Sequence, residues 1–193
     1  MNGRFPFMLV LFLAVYLFVA GTSGGSSVGA YLGGPDPGVT GGFGEPTCNQ
    51  SGCHSSFDLN AGRTLGLGDL LISGFPKQYE PGETYPIKLV VTHTQDRKVW
   101  GFQLAARVKA TGGQAGTLQP KDGGTQRLEE KGVQYLEHTL DGSLTNTFSF
   151  AWVAPSSPAG EIVVDAAGNA TDGGGSPDED YIYSTSIAIS PVR

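Results

Sequence analysis

Two cysteines and a histidine are the residues of this chain whose types and spacing could do chemistry. Cys48 and Cys53 are the only cysteines; four residues separate them, and His54 follows the second directly. The cluster lies in a stretch rich in Gly, Pro, Ser and Thr, so a loop would present its side chains. Four kinds of site could be built from such a cluster.

Three of these sites meet an objection from the sequence. A disulfide between Cys48 and Cys53 is ordinary in an oxidising compartment, but it gives His54 no role. A zinc site would need a fourth ligand and usually has two residues between its thiolates. A redox-active dithiol is normally a CxxC motif at a helix N-terminus, which this loop does not offer.

The fourth site is a covalently attached haem c. There, two thiols add to the vinyl groups of the porphyrin, and the histidine after the second cysteine binds the iron. His54 meets this requirement. The usual signature has two residues between the cysteines, so the longer segment 49–52 must bulge outward, which its small and turn-forming residues permit. The residues favour Cys48 and Cys53 as thioether positions and His54 as proximal ligand, with the disulfide as the main alternative.

The candidates for the second axial ligand of the iron can be narrowed by counting the methionines and histidines of the chain. The two methionines lie within the first eight residues, inside the expected leader, which leaves His93 and His138 as histidine candidates. We favour His138, because Leu136 and Leu140 share its strand face and could receive the haem edge. His93, at a strand end before a polar turn, is the second choice. Water, Lys or an open position is the remaining alternative.

The N-terminus predicts export. Residues 1–30 begin with one Arg at position 4 and an apolar run from Phe5 to Ala20, typical of a secretory signal peptide. Small residues at Val28 and Ala30 favour cleavage before Tyr31, and an uncleaved anchor is the alternative. We expect a secreted or periplasmic protein with no membrane span after cleavage.

Composition excludes other classes. The net charge is −6 and the 12 Lys and Arg residues are scattered singly, so we expect no nucleic-acid partner. The 30 Gly and 12 Pro indicate many turns and argue against a helical bundle. Neither a nucleophile elbow nor a placed carboxylate pair is present, so we expect no enzyme activity.

The elements that must position the cluster are strands. Alternating apolar residues predict an antiparallel β-sandwich. Phe148, Phe150 and Trp152 form its heaviest inward face, whereas Gln103 and Arg107 lie on a face expected to be wet. The predicted strands lie near residues 70–75, 85–93, 99–109, 115–119, 133–140, 147–153, 161–169 and 182–190.

Three segments result: the signal peptide 1–30, the Gly-rich segment 31–66 with its CxxxxCH motif, and the sandwich 67–193. The Gly-rich segment lacks strand or helix periodicity, so we expect it to be ordered only by what it binds or packs on. The acidic stretch from Asp172 to Asp180 predicts a solvated hairpin loop, with calcium binding as the alternative.

The strand region resembles a reelin-type (reeler) domain. The resemblance is carried by WGFQLAAR at 100–107, YLEHT at 135–139, FSFAWVAP at 148–155, and AGEIVVDAAGNATDG with the later DYIYSTS. Bacterial exported relatives also resemble the chain upstream, where a GVTGGFGEPTC-like segment leads into a Cys-Cys-His motif. The resemblance implies an immunoglobulin-like sandwich preceded by a haem-binding loop segment.

Together these features predict an exported single-haem c-type protein for electron transfer or for redox or ligand sensing. The alternative is a haem-free extracellular adhesion or assembly module with a Cys48–Cys53 disulfide. The sequence names no redox partner.

Overall fold

A computed structural model describes residues 32–50, 53–174 and 178–192. The expected signal peptide lies outside the described residues. The described chain contains a short helix α1 (Ala61–Thr64), a 3-10 turn (Gly142–Leu144) and the strands β1 (Gly68–Ser73), β2 (Gln78–Tyr79), β3 (Thr84–His93), β4 (Val99–Val108), β5 (Thr117–Pro120), β6 (Thr125–Glu130), β7 (Val133–His138), β8 (Thr147–Val153), β9 (Ile162–Thr171) and β10 (Tyr181–Pro191).

The strands form two sheets, so the predicted β-sandwich is confirmed. The four-stranded sheet has the order β1-β3-β8-β5, and the six-stranded sheet has the order β2-β10-β9-β4-β7-β6. The pairing is antiparallel except between β2 and β10, which run parallel. Each of the eight predicted strands is present. The two that the sequence missed are β2, which is two residues long, and β6, a mostly polar strand at a sheet edge.

The core lies between the sheets. Phe148, Phe150 and Trp152 of β8 are buried and point inward, as predicted. Phe102 of β4 meets them from the other sheet, with its ring centroid 4.5 Å from that of Phe148. Because successive strand residues point to opposite faces, the neighbours of Phe102 must point away from this core.

The outer face of the six-stranded sheet is the main departure from the prediction. Gln103 is fully buried and Arg107 is only 6% exposed, so this face is not wet. The Gly-rich segment covers it. Alternating polar residues identify the face that points away from the core, but they do not show whether water or another polar part of the chain covers that face.

Candidate functional site

The Gly-rich segment is tied to the sheet by hydrogen bonds that Gln103 makes through its side-chain amide. Gln103 Oε1 accepts from the backbone N–H groups of Gly38 and Val39, at 2.9 and 2.8 Å. Its Nε2 donates to the carbonyl of Asp36 at 3.1 Å. The buried side-chain amide of Gln103 therefore makes the hydrogen bonds to the segment backbone that a neighbouring strand would otherwise make. The segment is ordered by packing on the sheet.

An ion pair fixes the segment a few residues further on. Arg107 binds Glu45 in a nearly buried ion pair, and the Tyr135 hydroxyl donates to Glu45 Oε1 at 2.6 Å. Thr40 donates to the other carboxylate oxygen at 2.6 Å. Burial raises the pKa of Glu45, but the hydrogen bonds from Thr40, Tyr135 and Arg107 outweigh it and leave this pKa below 4.5. Glu45 is therefore an ionised anchor.

A second buried carboxyl lies under the segment next to His138. Glu137 accepts from the side-chain amides of Gln103 and Gln126, both at 2.9 Å. Burial is the largest cause that raises the pKa of Glu137 to about 7. The backbone at Gly34 passes so close that a Cβ there would lie 2.3 Å from a Glu137 oxygen. The fit of the segment over β7 therefore depends on this glycine.

The cysteine loop is closed at its base by backbone hydrogen bonds. The Cys48 carbonyl accepts from the N–H groups of Gln50 and His54, each at 3.1 Å, and Cys53 N–H donates to the Gln50 carbonyl at 2.9 Å. The first cysteine and the histidine are thus held together. The predicted outward bulge of 49–52 includes residues 51 and 52, which lie outside the described residues.

The two sulfurs are not joined; both cysteines are thiols in the structure. Burial is the main cause that raises the pKa of Cys48 to about 12. At neutral pH this thiol stays protonated, whereas the nucleophile of a redox dithiol is a thiolate of lowered pKa. The environment of Cys48 therefore disfavours a redox-active dithiol.

His54 is held by an acidic residue that the sequence did not connect with it. Its Nδ1 lies 2.7 Å from Asp180 Oδ2, and Asp180, directly before β10, is only 2% exposed. A carboxylate accepts, so Nδ1 carries the hydrogen and Nε2 remains as the nitrogen that can bind a metal. The sequence predicts a solvated hairpin loop for the stretch ending at Asp180, with calcium binding as the alternative, whereas the structure buries Asp180. Among the described residues, no group of three or more His, Cys, Asp or Glu side chains could hold a metal ion.

His138 is buried at the end of β7, with its ring along the backbone of β4. Its Nδ1 lies 3.1 Å from the Phe102 nitrogen and 3.2 Å from the Phe102 oxygen, so it can accept from one or donate to the other. Binding iron through Nε2 requires the form that donates to the oxygen. A Cβ at Gly101 would lie 2.7 Å from His138 Cε1, so this glycine makes room for the ring.

The prediction of an apolar strand face around His138 is wrong. Leu136 is completely buried in the core, and Leu140 lies beyond the end of β7 with 58% of its surface exposed. The strand ends before a continuous face from 136 to 140 can form. A haem edge would therefore not meet a leucine pair at this position.

His54 and His138 nevertheless lie toward the same end of the six-stranded sheet. Tyr181, next to Asp180, pairs with Ala170, which in turn pairs with Trp100, adjacent to the Gly101 that receives the His138 ring. The strands β10 and β7 are three positions apart in the sheet, or about 14 Å at ordinary strand spacing. Between them lies Asn169, whose buried Oδ1 has no hydrogen-bond partner among the described residues.

His93 uses both of its ring nitrogens. Nδ1 lies 2.6 Å from the Tyr183 hydroxyl, and Nε2 lies 3.2 Å from Gln95 Oε1. Its ring also packs against that of Tyr181, with centroids 4.6 Å apart. Burial is the largest cause that lowers the pKa of His93. To bind iron, His93 would have to give up one of these hydrogen bonds.

The donor set at the cysteine loop fits haem c. Cys48 and Cys53 supply two unpaired thiols, and His54 supplies an Nε2 whose ring is oriented by a carboxylate on the opposite nitrogen. Histidines that bind metals almost always donate their second ring N–H to such an acceptor. These three residues would hold the group.

A shallow groove of about 560 Å³ lies elsewhere, between β1 and β10. None of Cys48, Cys53, His54 and His138 lines it. Among the described residues, no helix has the length and apolar character needed to cross a bilayer.

Comparisons with known proteins add the following. No family model matches the chain, and no curated protein matches it. The human F-spondin reeler domain is similar at 23% identity over 65% of this chain and 89% of that chain, with a TM-score of 0.47. The Reelin-N domain of F-spondin is similar at 23% identity over 65% and 86%, with a TM-score of 0.48. A type I cohesin–dockerin complex from Clostridium thermocellum is similar at 8% identity over 64% and 99%, with a TM-score of 0.38.

The fold is a β-sandwich. The strand order of the two sheets in the chain itself shows this fold.

Proposed function

We propose that this protein is an exported single-haem c-type protein, with thioether bonds at Cys48 and Cys53 and with His54 as proximal iron ligand. The observation that carries the proposal is a hydrogen bond of His54, the residue that directly follows the second cysteine. Its Nδ1 donates to the buried Asp180 carboxylate. That bond fixes the ring and leaves Nε2 for a metal.

Attachment would use the two cysteines as thiols. The sulfur of each would bond to one carbon of a vinyl group while the thiol hydrogen goes to the other carbon, so no oxidant or reductant is consumed. The protonated state of Cys48 at neutral pH agrees with this requirement. Once bound, the group supplies a one-electron Fe(III)/Fe(II) couple.

The occupant of the sixth position would decide the role. A second histidine saturates the iron and suits electron transfer, whereas an open position suits sensing of a small ligand. We favour His138 for this position and hence electron transfer, because its ring is buried toward the same end of the six-stranded sheet as His54.

The intact mass of the exported protein tests the proposal. From a strain with a c-type maturation system, the wild-type mass should equal the processed chain plus one haem, which also reports the cleavage site. The Cys53→Ala variant should lose stable attachment and keep its β-sheet circular dichroism, because both cysteines lie outside the core. Ser55→Ala, at an exposed neighbouring position, is the matched control and should retain the haem.

Three results would count against the proposal. These are covalent haem retained in the Cys53→Ala protein, loss of its sheet signal, and a wild-type mass without haem. If that haem-free mass also shows the loss of one pair of thiol hydrogens, the Cys48–Cys53 disulfide is present. The result would then support the adhesion or assembly module.

A further inference from the structure

Asp180 is a buried acidic side chain directly before β10. It is 2% exposed, and its one ion partner among the described residues is His54. Its second oxygen, Oδ1, is buried without a hydrogen-bond partner there. The nearby Arg97 donates to the Glu179 carbonyl and lies over the Tyr181 ring, 5.0 Å from its centroid.

A buried carboxylate in this state requires positive charge close by. The cost of removing an ion from water is recovered only by an opposite charge in good geometry. A cation bound at His54 Nε2 would supply that charge, with the imidazole ring between the cation and the carboxylate.

We infer that Asp180 is the positioning residue that sets the donor strength of His54, and thereby the reduction potential of the iron; this rests on the proposed haem function. Asp180 accepts the Nδ1 hydrogen, which selects the tautomer with a lone pair on Nε2. Its negative charge makes the imidazole a stronger donor and favours Fe(III) over Fe(II). Hydrogen bonds that carboxylates accept from metal-binding histidines tune metal centres.

The contact is not needed to dock the loop. Phe57 stacks on Tyr181 with ring centroids 4.3 Å apart. Asn60 donates its N–H to the Ile182 carbonyl at 2.9 Å and accepts from Ser184 N–H at 2.8 Å. These contacts fasten the chain just after His54 to β10 independently of Asp180. A purely structural role would thus leave little effect when the carboxylate is changed.

Two variants separate the effect of Asp180 on the orientation of the His54 ring from the effect of its negative charge. Asp180→Asn keeps an oxygen that can accept from Nδ1 but removes the negative charge, and Asp180→Ala removes both. The exposed neighbour Glu179→Gln is the matched control, since it removes one negative charge one residue away.

The first measurement needs no haem. In the haem-free Cys53→Ala protein, ¹⁵N chemical shifts of the His54 ring at a pH where the ring is neutral should report a hydrogen on Nδ1. That preference should survive in Asp180→Asn and Glu179→Gln and disappear in Asp180→Ala. A hydrogen on Nε2 in the starting protein would overturn the inference whether or not the wild type binds haem.

The second measurement uses the haem-loaded protein. Redox titration should show that Asp180→Asn shifts the Fe(III)/Fe(II) equilibrium at least tenfold toward Fe(II), which is about 59 mV for one electron. Glu179→Gln should leave the potential near that of the wild type. An unchanged potential in Asp180→Asn would overturn the inference while leaving the haem function intact. A wild-type protein without haem would overturn that function, and the inference about iron with it.

Discussion

The three histidines of this chain differ in which ring nitrogens their neighbours occupy. His54 is held at Nδ1 by a carboxylate, His138 has Nδ1 between the two backbone polar atoms of Phe102, and His93 is engaged at both nitrogens. A histidine binds iron through a nitrogen without a hydrogen. The hydrogen bond to Asp180 therefore favours His54 as the proximal ligand, whereas His93 could bind iron only by giving up a hydrogen bond.

The proposal of His138 as the sixth ligand predicts the coordination of the iron. The wild-type haem protein should give a low-spin, six-coordinate absorption spectrum. His138→Ala should become high-spin or bind carbon monoxide readily, because the sixth ligand is lost. His93→Ala is the matched control and should keep the wild-type spectrum. A change in the His93 variant alone would reverse the assignment, and a wild type that is already high-spin would favour the sensing role.

Sequence reasoning at this scale identified the cluster but not its support. The adjacency of Cys53 and His54 is local and can be read directly. Asp180 lies 126 residues from His54, and its place in an acidic, Gly-rich stretch is typical of a solvated loop. No periodicity connects two loops so far apart; the contacts of Phe57 and Asn60 with β10 bring the cysteine loop to Asp180.

At the scale of elements, the outer face of the six-stranded sheet shows what alternation can and cannot predict. The pattern in β4 correctly separated core residues from Gln103 and Arg107. It could not show that the Gly-rich segment covers them, because that segment contributes backbone groups, which carry no sequence pattern. The sequence predicts only that something this segment binds or packs on must compensate for the entropy lost when it is ordered. Hydrogen bonds to Gln103 and the Glu45–Arg107 ion pair supply compensation from the chain itself.

The ion pair gives the second prediction. Glu45→Ala should lower the free energy of unfolding by about 3 kcal/mol at pH 7, because it leaves the buried Arg107 guanidinium without its anion. Segment 32–50 should also become more sensitive to proteolysis. Glu129→Ala, on the exposed side of β6, is the control and should cost less than about 0.5 kcal/mol. Urea unfolding and limited proteolysis measure both effects, and equal losses in the two variants would contradict the anchor.

The contribution of the Glu45–Arg107 ion pair to stability should depend on pH with a definite sign. The pKa of Glu45 is below 4.5 in the folded protein, so folding favours its ionised form. The resulting stability is fully present above pH 4.5 and is lost as the pH falls through the folded-state pKa. Unfolding curves for wild type and Glu45→Ala should therefore converge as the pH falls through the folded-state pKa of Glu45. A difference that grows on acidification would contradict this account.

At the scale of the whole molecule, the core and the cysteine loop are separate parts of one sandwich. The aromatic core of β8 was predictable because its inward residues alternate with outward ones and are large. Trp152 pairs in register with Tyr85 near the start of β3, whereas His93 at the end of that strand packs against Tyr181, beside Asp180. Eight residues of extended strand separate the two ends, which is about 27 Å.

This separation predicts that stability and iron coordination respond to different residues. Trp152 is completely buried and donates its indole N–H to the Ala115 carbonyl at 2.9 Å. Truncation to Ala removes that packing and leaves the carbonyl unpaired, which should cost about 3 to 5 kcal/mol. This is a large part of the roughly 5 to 15 kcal/mol that stabilises a whole domain. Trp100 is the only other tryptophan and is partly exposed. Its truncation to Ala should lower the free energy of unfolding by less.

Urea unfolding followed by circular dichroism measures the loss in both tryptophan variants. The absorption spectrum of the folded fraction reports the iron. Trp152→Ala should lower the urea midpoint strongly while the spectrum in the absence of urea stays that of the wild type, because the truncated side chain lies at the far end of the sandwich. A wild-type midpoint would contradict the burial of Trp152. A changed native spectrum would show that the core end and the cysteine loop are coupled across the length of β3.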